Sequence, residues 1–185
     1  MPVNTDTYTG PSFSLANRLA RVIWNFIQST LFRWSPRPLH AWRVFLLRIF
    51  GAQIGKRVHI YPRVKIWAPW NLDIGEESGC ADGVILYSQG PIKLGKRVVI
   101  SQGAHLCTGS HDYEEPGFPL RTASISVGNH AWVAAEVFIH PGVRIGEGAV
   151  IGARSVVTKD MPDWKVCAGN PCQPFKDRKQ IIQTK

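Results

Sequence analysis

An aliphatic residue recurs at about every sixth position between residues 54 and 157, with one long interruption. The column comprises Ile54, Ile60, Ile66, Ile74, Cys80, Leu86, Leu94, Ile100, Leu106, Val127, Val133, Ile139, Ile145, Ile151 and Val157. A second column, four residues after each of these, is made mostly of Val, Ala and Ser and includes Ser110. A helix repeats every 3.6 residues and a strand every two, so neither alone produces this pattern.

A period of six residues fits a short strand followed by a turn, with one large and one small side chain pointing inward. Three such hexads close a triangular coil of roughly 18 residues, and successive coils stack at about 4.8 Å. The repeat slips after Ile66 and again after Leu86, so both insertions fall at one corner, as solenoids allow. An ordinary β-sandwich is the alternative, which fifteen positions in register disfavour. The sequence therefore predicts a mainly β solenoid of about five coils.

The repeat stops between Leu106 and Val127, where about fifteen residues are inserted. Long excursions from a rigid scaffold are usually functional. His111 lies at the start of this segment, and an imidazole there can act as a general base near neutral pH. The alternative is a histidine that caps the loop by bonding to its backbone. The acidic and aromatic residues that follow form either a substrate pocket or a solvated loop; they are Tyr113, Glu114, Glu115 and Phe118.

The formal net charge of +9 is concentrated at the two ends of the chain. This distribution argues against a nucleic-acid protein with a broad basic face, and it suits an anionic ligand at one end and an anionic surface at the other. The four cysteines contain no CxxC pair, which disfavours a zinc knuckle. With neither a secretory signal nor a transmembrane stretch visible, we expect reduced thiols and a cytoplasmic protein.

The sequence divides into an N-terminal segment (1–50), a solenoid (51–162) with an inserted loop (107–126), and a C-terminal extension (163–185). Residues 14–34 have the spacing of an amphipathic helix that Ser14 caps, and residues 39–50 predict a second helix. Tryptophans and phenylalanines mix with six arginines in this segment. Such a composition fits either a cap over the open end of the solenoid or peripheral contact of residues 14–50 with the inner membrane face.

The hexads, together with the closing stretch IGARSVVTKDMPDWKVCAGNPC, resemble the hexapeptide-repeat acyltransferases. The stretches PRPLHAWRVFLLRIFGAQIG, YPRVKIWAPWNL and LCTGSHDYEEPGFPL are similar, more narrowly, to the colanic-acid (exopolysaccharide) biosynthesis O-acetyltransferases. The resemblance extends from about residue 13 to residue 178. It implies a left-handed parallel β-helix, a homotrimer, acetyl-CoA as acyl donor and a sugar hydroxyl of an exopolysaccharide or its precursor as acceptor.

The resemblance also assigns roles to single residues. His111 matches the position of the family's catalytic histidine. From the residues themselves, Asp112 either binds the acceptor or caps the loop, and Tyr113 is a candidate for contact with the sugar. Asp82 lies near a position where sugar acetyltransferases bind the acceptor, although an Asp before Gly83 is also an ordinary turn residue.

Coenzyme A needs a narrow groove for its pantetheine arm and cations for its phosphates. The last coils supply small residues for the groove, namely Ala134, Ala135, Gly152 and Ala153, and cations for the phosphates, namely Arg154, Lys159 and Lys176. The resemblance adds Trp132 and the turn that contains Thr158 and Lys159, which match coenzyme contacts of the family. Trp132 either packs near the thioester or lies in a subunit interface. Backbone N–H groups near Ala134 and Ala135 are expected to stabilise the charge that develops on the acetyl oxygen.

Two other functions remain open from the sequence. One is N-acetylation of an amino sugar or small amine, which the same fold supports. The other is a non-catalytic or metal-binding trimer like the γ-class carbonic anhydrases, which share the fold. We expect no metal site, because His105 and His111 lie six residues apart and therefore on different faces of one coil.

Overall fold

The computed structural model describes residues 6–180. Two helices come first, α1 (Leu15–Ile27) and α2 (His40–Ile49), and a π-helical turn, Gln28–Phe32, extends α1. Ser14 caps α1, since its hydroxyl accepts from the Asn17 N–H as the sequence predicts. A chain of short strands, β1 to β19, then forms three parallel faces.

The three faces are numbered in the order in which the chain visits them. Sheet 1 contains β1 (Gln53–Ile54), β4 (Leu72–Ile74), β7 (Ile92–Leu94), β12 (Ile125–Val127) and β15 (Arg144–Ile145). Sheet 2 contains β2 (His59–Ile60), β5 (Gly79–Cys80), β8 (Val99–Ile100), β13 (Trp132–Val133), β16 (Val150–Ile151), β18 (Lys165–Gly169) and β19 (Cys172–Asp177). Sheet 3 contains β3 (Lys65–Ile66), β6 (Ile85–Tyr87), β9 (His105–Cys107), β14 (Phe138–Ile139) and β17 (Val156–Val157). A separate hairpin contains β10 (Gly109–His111) and β11 (Leu120–Thr122).

The structure confirms the predicted solenoid. Each strand pairs in parallel with the strand one coil later, as when Ile54 pairs with Ile74 and Leu86 with Leu106. The aliphatic column forms the core along the whole prism. Ser110 is the exception in the second column, because the hairpin has already begun and carries it to the surface.

The stacking continues beyond residue 162, where the sequence places the start of the extension. Strand β18 pairs in parallel with β16 and adds a partial sixth coil, after which β19 turns back antiparallel. Five coils are complete, as predicted.

All three insertions fall at the same corner, between sheet 3 and the next strand of sheet 1. We call this corner edge 3/1, and the corner between sheets 2 and 3 edge 2/3. Two short insertions, near residues 67–71 and 88–91, lie beneath the hairpin of residues 109–122. Edge 3/1 therefore carries longer connections in the first two coils, and the hairpin follows at the same corner in the third.

The N-terminal helices cap the open end of the first coil. Their side chains donate to the carbonyls that this coil would otherwise leave unpaired: Arg48 to Ile54 at 2.6 Å, Arg43 to Ile60 at 2.5 Å and Trp24 to Ile66 at 2.8 Å. Trp24 and Arg43 are fully buried. The helices thus close an exposed sheet end that would otherwise pair with other chains. Within residues 6–180, no helix is both long and apolar enough to cross a bilayer.

Candidate active site

The inserted segment leaves the solenoid at Thr108, whose buried side chain anchors it to the coil below. Thr108 Oγ1 donates to the carbonyl of Tyr87 and accepts from the N–H of Gly90, both at 2.8 Å. The antiparallel hairpin follows, and in it His111 pairs with Leu120. Thr108 therefore anchors the hairpin, and with it His111, at edge 3/1.

His111 is half-buried, and Phe118 holds its ring in two ways. Nδ1 of His111 lies 2.8 Å from the carbonyl oxygen of Phe118, and the two rings stack with centroids 4.3 Å and planes 6° apart. A carbonyl oxygen can only accept, so Nδ1 carries the proton and Nε2 of the neutral ring keeps its lone pair. The backbone bond that the sequence offers as an alternative to catalysis is present, and it leaves the other ring nitrogen available as a base.

The two residues after His111 have different environments. Asp112 pairs with Arg121 at 3.4 Å and accepts from the N–H of Glu114 at 3.3 Å, so its carboxylate braces the hairpin. Tyr113 is 82% exposed at the tip. Of these two, Tyr113 keeps a free surface with which to contact an acceptor.

Edge 2/3 presents a backbone N–H at Ala135. The N–H of Ala134 donates to the Ile151 carbonyl at 2.9 Å in the strand ladder, so it is not available to stabilise an oxyanion. The N–H of Ala135 makes no hydrogen bond with any residue of the described chain. Ala135 therefore remains the donor for a developing negative charge, and Ala134, which is buried, contributes to the wall beside it.

The next coil continues this edge with small side chains. The carbonyl of Ala135 accepts from the N–H of Arg154 at 2.9 Å, which sets Gly152 and Ala153 directly above Ala135. A methyl group added at Gly152 would come within 3.0 Å of the Ala168 side chain, so only glycine leaves this wall undisturbed. The side chain of Arg154 pairs with Glu136 at 2.7 Å and is 80% exposed. The edge has small walls that suit a pantetheine arm, and an exposed guanidinium lies beside it.

The other coenzyme candidates lie on different parts of the prism. Trp132 stands on the outer face of sheet 2, where its indole donates to Ser101 Oγ at 2.9 Å. Lys176 is exposed on β19 at the top of the same sheet. Thr158 and Lys159 follow β17 and therefore lie at edge 3/1, the edge that carries His111. The residues predicted to contact the phosphates therefore lie at both edges, with Arg154 at edge 2/3 and Lys159 at edge 3/1.

Asp82 lies at edge 2/3, two coils below Ala135. Its carboxylate accepts from the N–H of Arg63 at 3.1 Å and pairs with Arg37 at 3.4 Å. Asp82 therefore stabilises its turn, and its ion pair with Arg37 links the loop before α2 to the solenoid.

Within one chain, His111 and Ala135 do not form one site. His111 lies in the hairpin at edge 3/1 and Ala135 in the turn at edge 2/3, so sheet 3 separates them. A general base must come within about 3 Å of the proton that it removes. The structure therefore supplies two half-sites at opposite edges of each prism.

The residues near the hairpin do not favour a cysteine nucleophile or a histidine metal site. Burial raises the pKa of the Cys107 thiol, which donates to the Gly109 carbonyl at 3.2 Å, so this sulfur stays protonated. His105 is held between the rings of Tyr87 and Phe138, away from His111. No three metal-ligating side chains converge within residues 6–180.

Residues 124–159 match the family described as bacterial transferase hexapeptide (six repeats). The chain is 46% identical over 166 residues to the putative colanic acid biosynthesis acetyltransferase WcaF of Escherichia coli K12, and the match covers 90% of this chain and 91% of that protein. The chain belongs to the hexapeptide-repeat acetyltransferases.

Solved structures of this family superimpose on most of the chain. A galactoside acetyltransferase in complex with coenzyme A matches with a TM-score of 0.83 and 26% identity, covering 91% of this chain and 86% of that one. A maltose O-acetyltransferase from Clostridium difficile 630 matches with a TM-score of 0.83 and 25% identity, covering 90% of both. The acetyltransferase fold therefore spans the helical segment as well as the solenoid.

The sequence did not predict the partner of His111. Phe118 lies seven residues away in an irregular loop, where no periodic signal fixes which side chains meet. The sequence predicts only a substrate pocket or a solvated loop for Phe118, and the structure adds its stacking against the imidazole. An aromatic residue after Pro-Gly, close enough to fold back on the histidine, was the available signal.

Proposed function

We propose that this protein transfers the acetyl group of acetyl-CoA to a hydroxyl of a saccharide, as part of exopolysaccharide synthesis. The observation that carries the proposal is the bond from His111 Nδ1 to the Phe118 carbonyl, which leaves Nε2 free as a base. The similarity to the colanic acid acetyltransferase and to galactoside and maltose acetyltransferases supports a sugar hydroxyl as acceptor.

The proposed reaction is a direct transfer. Nε2 of His111 removes the proton from the acceptor hydroxyl as its oxygen bonds to the acetyl carbon. The N–H of Ala135 stabilises the negative charge on the acetyl oxygen, and the thiolate of coenzyme A leaves and takes the proton from the imidazolium. The protonated Cys107 has no role in this scheme.

The two half-sites require a second copy of the chain. Contact between edge 3/1 of one prism and edge 2/3 of the next uses different surfaces on the two partners, and such contacts close into rings. We therefore expect the homotrimer that the resemblance implies, with one complete site in each of its interfaces. The coenzyme would lie along Ala135, Gly152 and Ala153 of one subunit, with Thr158 and Lys159 of the other near its phosphates.

Replacement of His111 tests the catalytic assignment. We expect His111→Ala to lower kcat by about 10²–10⁴-fold while the oligomer stays folded, because the general base is lost. His59→Ala, an exposed histidine on β2, is the matched control and should leave kcat unchanged. Release of free thiol from acetyl-CoA measures turnover, and wild-type turnover by His111→Ala would contradict the proposal.

A panel of acceptors separates O-transfer from N-transfer. We expect thiol release with methyl galactoside or maltose, and an O-acetyl product by mass spectrometry. Activity confined to glucosamine, with an N-acetyl product, would favour the amino-sugar alternative.

The helical segment also offers a surface for a membrane. Helices α1 and α2 bury one face each and expose large apolar side chains on the other; these are Leu15, Leu19, Val22, Ile23 and Phe26 on α1, Leu39 at the N-cap of α2, and Trp42, Phe45 and Ile49 on α2. Trp42 donates to the carbonyl of Leu31 at 3.1 Å, which joins the two faces. Residues 14–50 contain no acidic residue, and of their six arginines Arg43 is buried whereas Arg18 and Arg33 are exposed, so the charge of this surface favours anionic phospholipid over a second copy of itself.

Vesicle co-sedimentation tests this contact. We expect binding to phosphatidylcholine vesicles that contain phosphatidylglycerol, weaker binding at high salt, and loss of binding in Leu19→Glu/Phe26→Glu. Phe175→Glu is the control, since Phe175 is as exposed as Phe26 (67% and 66%) but lies on β19. If Leu19→Glu/Phe26→Glu and Phe175→Glu co-sediment with vesicles equally, the membrane contact is contradicted. It is also contradicted if the wild type forms a larger oligomer that only the double variant dissociates, because the apolar surface then binds a second copy of the chain. Because acetyl-CoA is cytoplasmic, the surface would be the inner face of the membrane.

A further inference from the structure

The carbonyl oxygen that orients His111 accepts a second hydrogen bond. Thr7, more than one hundred residues away in the chain, donates from its hydroxyl to the Phe118 carbonyl at 2.7 Å. The same oxygen lies 2.8 Å from Nδ1 of His111. A carbonyl has two lone pairs, so the imidazole and the threonine together fill its capacity.

Residues 6–9 contact the tip of the hairpin at more than this one point. The backbone N–H of Thr7 donates to the carbonyl of Gly117 at 2.9 Å. The ring of Tyr8 stacks on the ring of Phe118, with centroids 6.1 Å apart. Phe118 is therefore enclosed between Tyr8 on one side and His111 on the other.

Phe118 needs such support because its backbone is strained. Its φ of +44° lies in the left-handed region, which an aromatic residue rarely adopts. A conformation of this kind persists only where the surroundings hold it. The turn itself supplies one bond, from the Phe118 N–H to the Glu115 carbonyl at 2.9 Å. Thr7 supplies two more from outside the turn.

We propose that Thr7 is a positioning residue for the general base. By holding the Phe118 carbonyl in place, it keeps His111 in the tautomer with hydrogen on Nδ1 and keeps Nε2 aimed at the acceptor. Thr7 thus supports the orientation of His111 although it precedes the first helix. This inference rests on the proposed role of His111.

Three variants of Thr7 and its neighbour test the role. Thr7→Val keeps the shape of the side chain and removes the hydroxyl, and Thr7→Ser restores a hydroxyl. Thr9→Val is the matched control, because the hydroxyl of Thr9 donates only to the Asp6 carbonyl within the same turn, at 3.4 Å. None of these side chains belongs to the solenoid core, so the fold is expected to be unchanged.

We expect Thr7→Val to lower kcat about tenfold with methyl galactoside or maltose as acceptor, and to leave KM for acetyl-CoA unchanged. Thr7→Ser should recover most of the loss, and Thr9→Val should match the wild type. In nitrogen-15 NMR spectra, the His111 ring of Thr7→Val should show a mixture of tautomers where the wild type shows one. A kcat within twofold of the wild type, a change in KM alone, or failure of serine to rescue would overturn the inference.

The tautomer measurement separates this inference from the proposed function. If His111→Ala retains turnover, the catalytic assignment fails, and with it any role of Thr7 in catalysis. If His111→Ala is inactive but Thr7→Val behaves as the wild type in both kcat and NMR, only the role of Thr7 is refuted.

Discussion

At the scale of single residues, the site depends on backbone groups that the solenoid leaves unpaired. In the turn at edge 2/3, the second residue after each aliphatic position recurs from coil to coil as Pro62, Asp82, Gln102, Ala135 and Ala153. Proline in the first coil shows that this position needs no N–H for the fold. At Ala135 the same N–H has no partner among the described residues, and the proposed mechanism assigns it to the developing oxyanion.

Ala135→Pro removes that N–H and leaves the turn intact. We expect kcat to fall by about 10²–10³-fold, because the charge on the acetyl oxygen loses its donor. Gln102→Pro makes the same change one coil lower and should leave kcat unaltered. Steady-state kinetics on both proteins checks the prediction, and equal losses in the two would point to damage to the solenoid instead.

A partly buried histidine predicts the pH dependence of stability. Burial lowers the pKa of His105 below its usual value, and the buried Nε2 atom of this ring has no hydrogen-bond partner among residues 6–180. As pH falls below about 6.5, the unfolded chain binds the proton first, so the free energy of unfolding decreases towards the folded-state pKa. At pH 7 both states are neutral and this stability is fully present.

We expect His105→Phe to lose less stability between pH 7 and pH 5 than the wild type, as measured by urea denaturation at both values. The ring contacts with Tyr87 and Phe138 can be kept by phenylalanine. His40, whose pKa is also lowered by burial, keeps part of the dependence, so the slope should decrease without vanishing. A slope equal to that of the wild type would refute the assignment to His105.

At the scale of elements, the hairpin is an addition to a scaffold that is complete without it. Strand β12 pairs with β7 across the insertion, and the Ala123 N–H donates to the Thr108 carbonyl at 2.9 Å, so the two ends of the inserted segment are in contact. The coils below and above it stack directly. Long loops cost little stability when their ends are already close.

Deletion of residues 110–122 tests this independence. The remaining link from Thr108 to Ser124 has four residues, the same length as Ser88–Pro91 at this corner one coil lower. We expect a folded solenoid with an unchanged circular dichroism spectrum and no acetyl transfer, because His111 and Phe118 are gone. An unfolded product would show that the hairpin is needed for stacking.

At the scale of the whole molecule, the proposed mechanism takes His111 from one subunit and Ala135 from its neighbour, so it makes activity depend on the oligomer. His111 and Ala135 are held rigidly at opposite ends of sheet 3, so no local motion brings them together. In a ring of subunits, edge 3/1 of each prism would contact edge 2/3 of its neighbour, which brings the two groups together.

Mixed oligomers provide the decisive measurement. His111→Ala and Ala135→Pro are each expected to be nearly inactive alone, but co-expression should restore about a quarter of wild-type activity, since one interface in four then combines an intact histidine with an intact Ala135 edge. If both half-sites belonged to one chain, the mixture would stay as inactive as its components. Activity of the purified mixed oligomer checks the result.

The sequence alone determined the solenoid, its core and the corner at which the inserted loop leaves. The reason is that the hexad pattern is local and recurs in every coil. Resemblance then directed attention to His111. Tertiary structure alone decided which nitrogen of that ring is free, through Phe118 and Thr7, and that Ala135 rather than Ala134 keeps an unpaired N–H. It also separated the half-sites between two edges. These outcomes depend on where residues far apart in the chain meet in space, and no periodicity along the sequence encodes such distances.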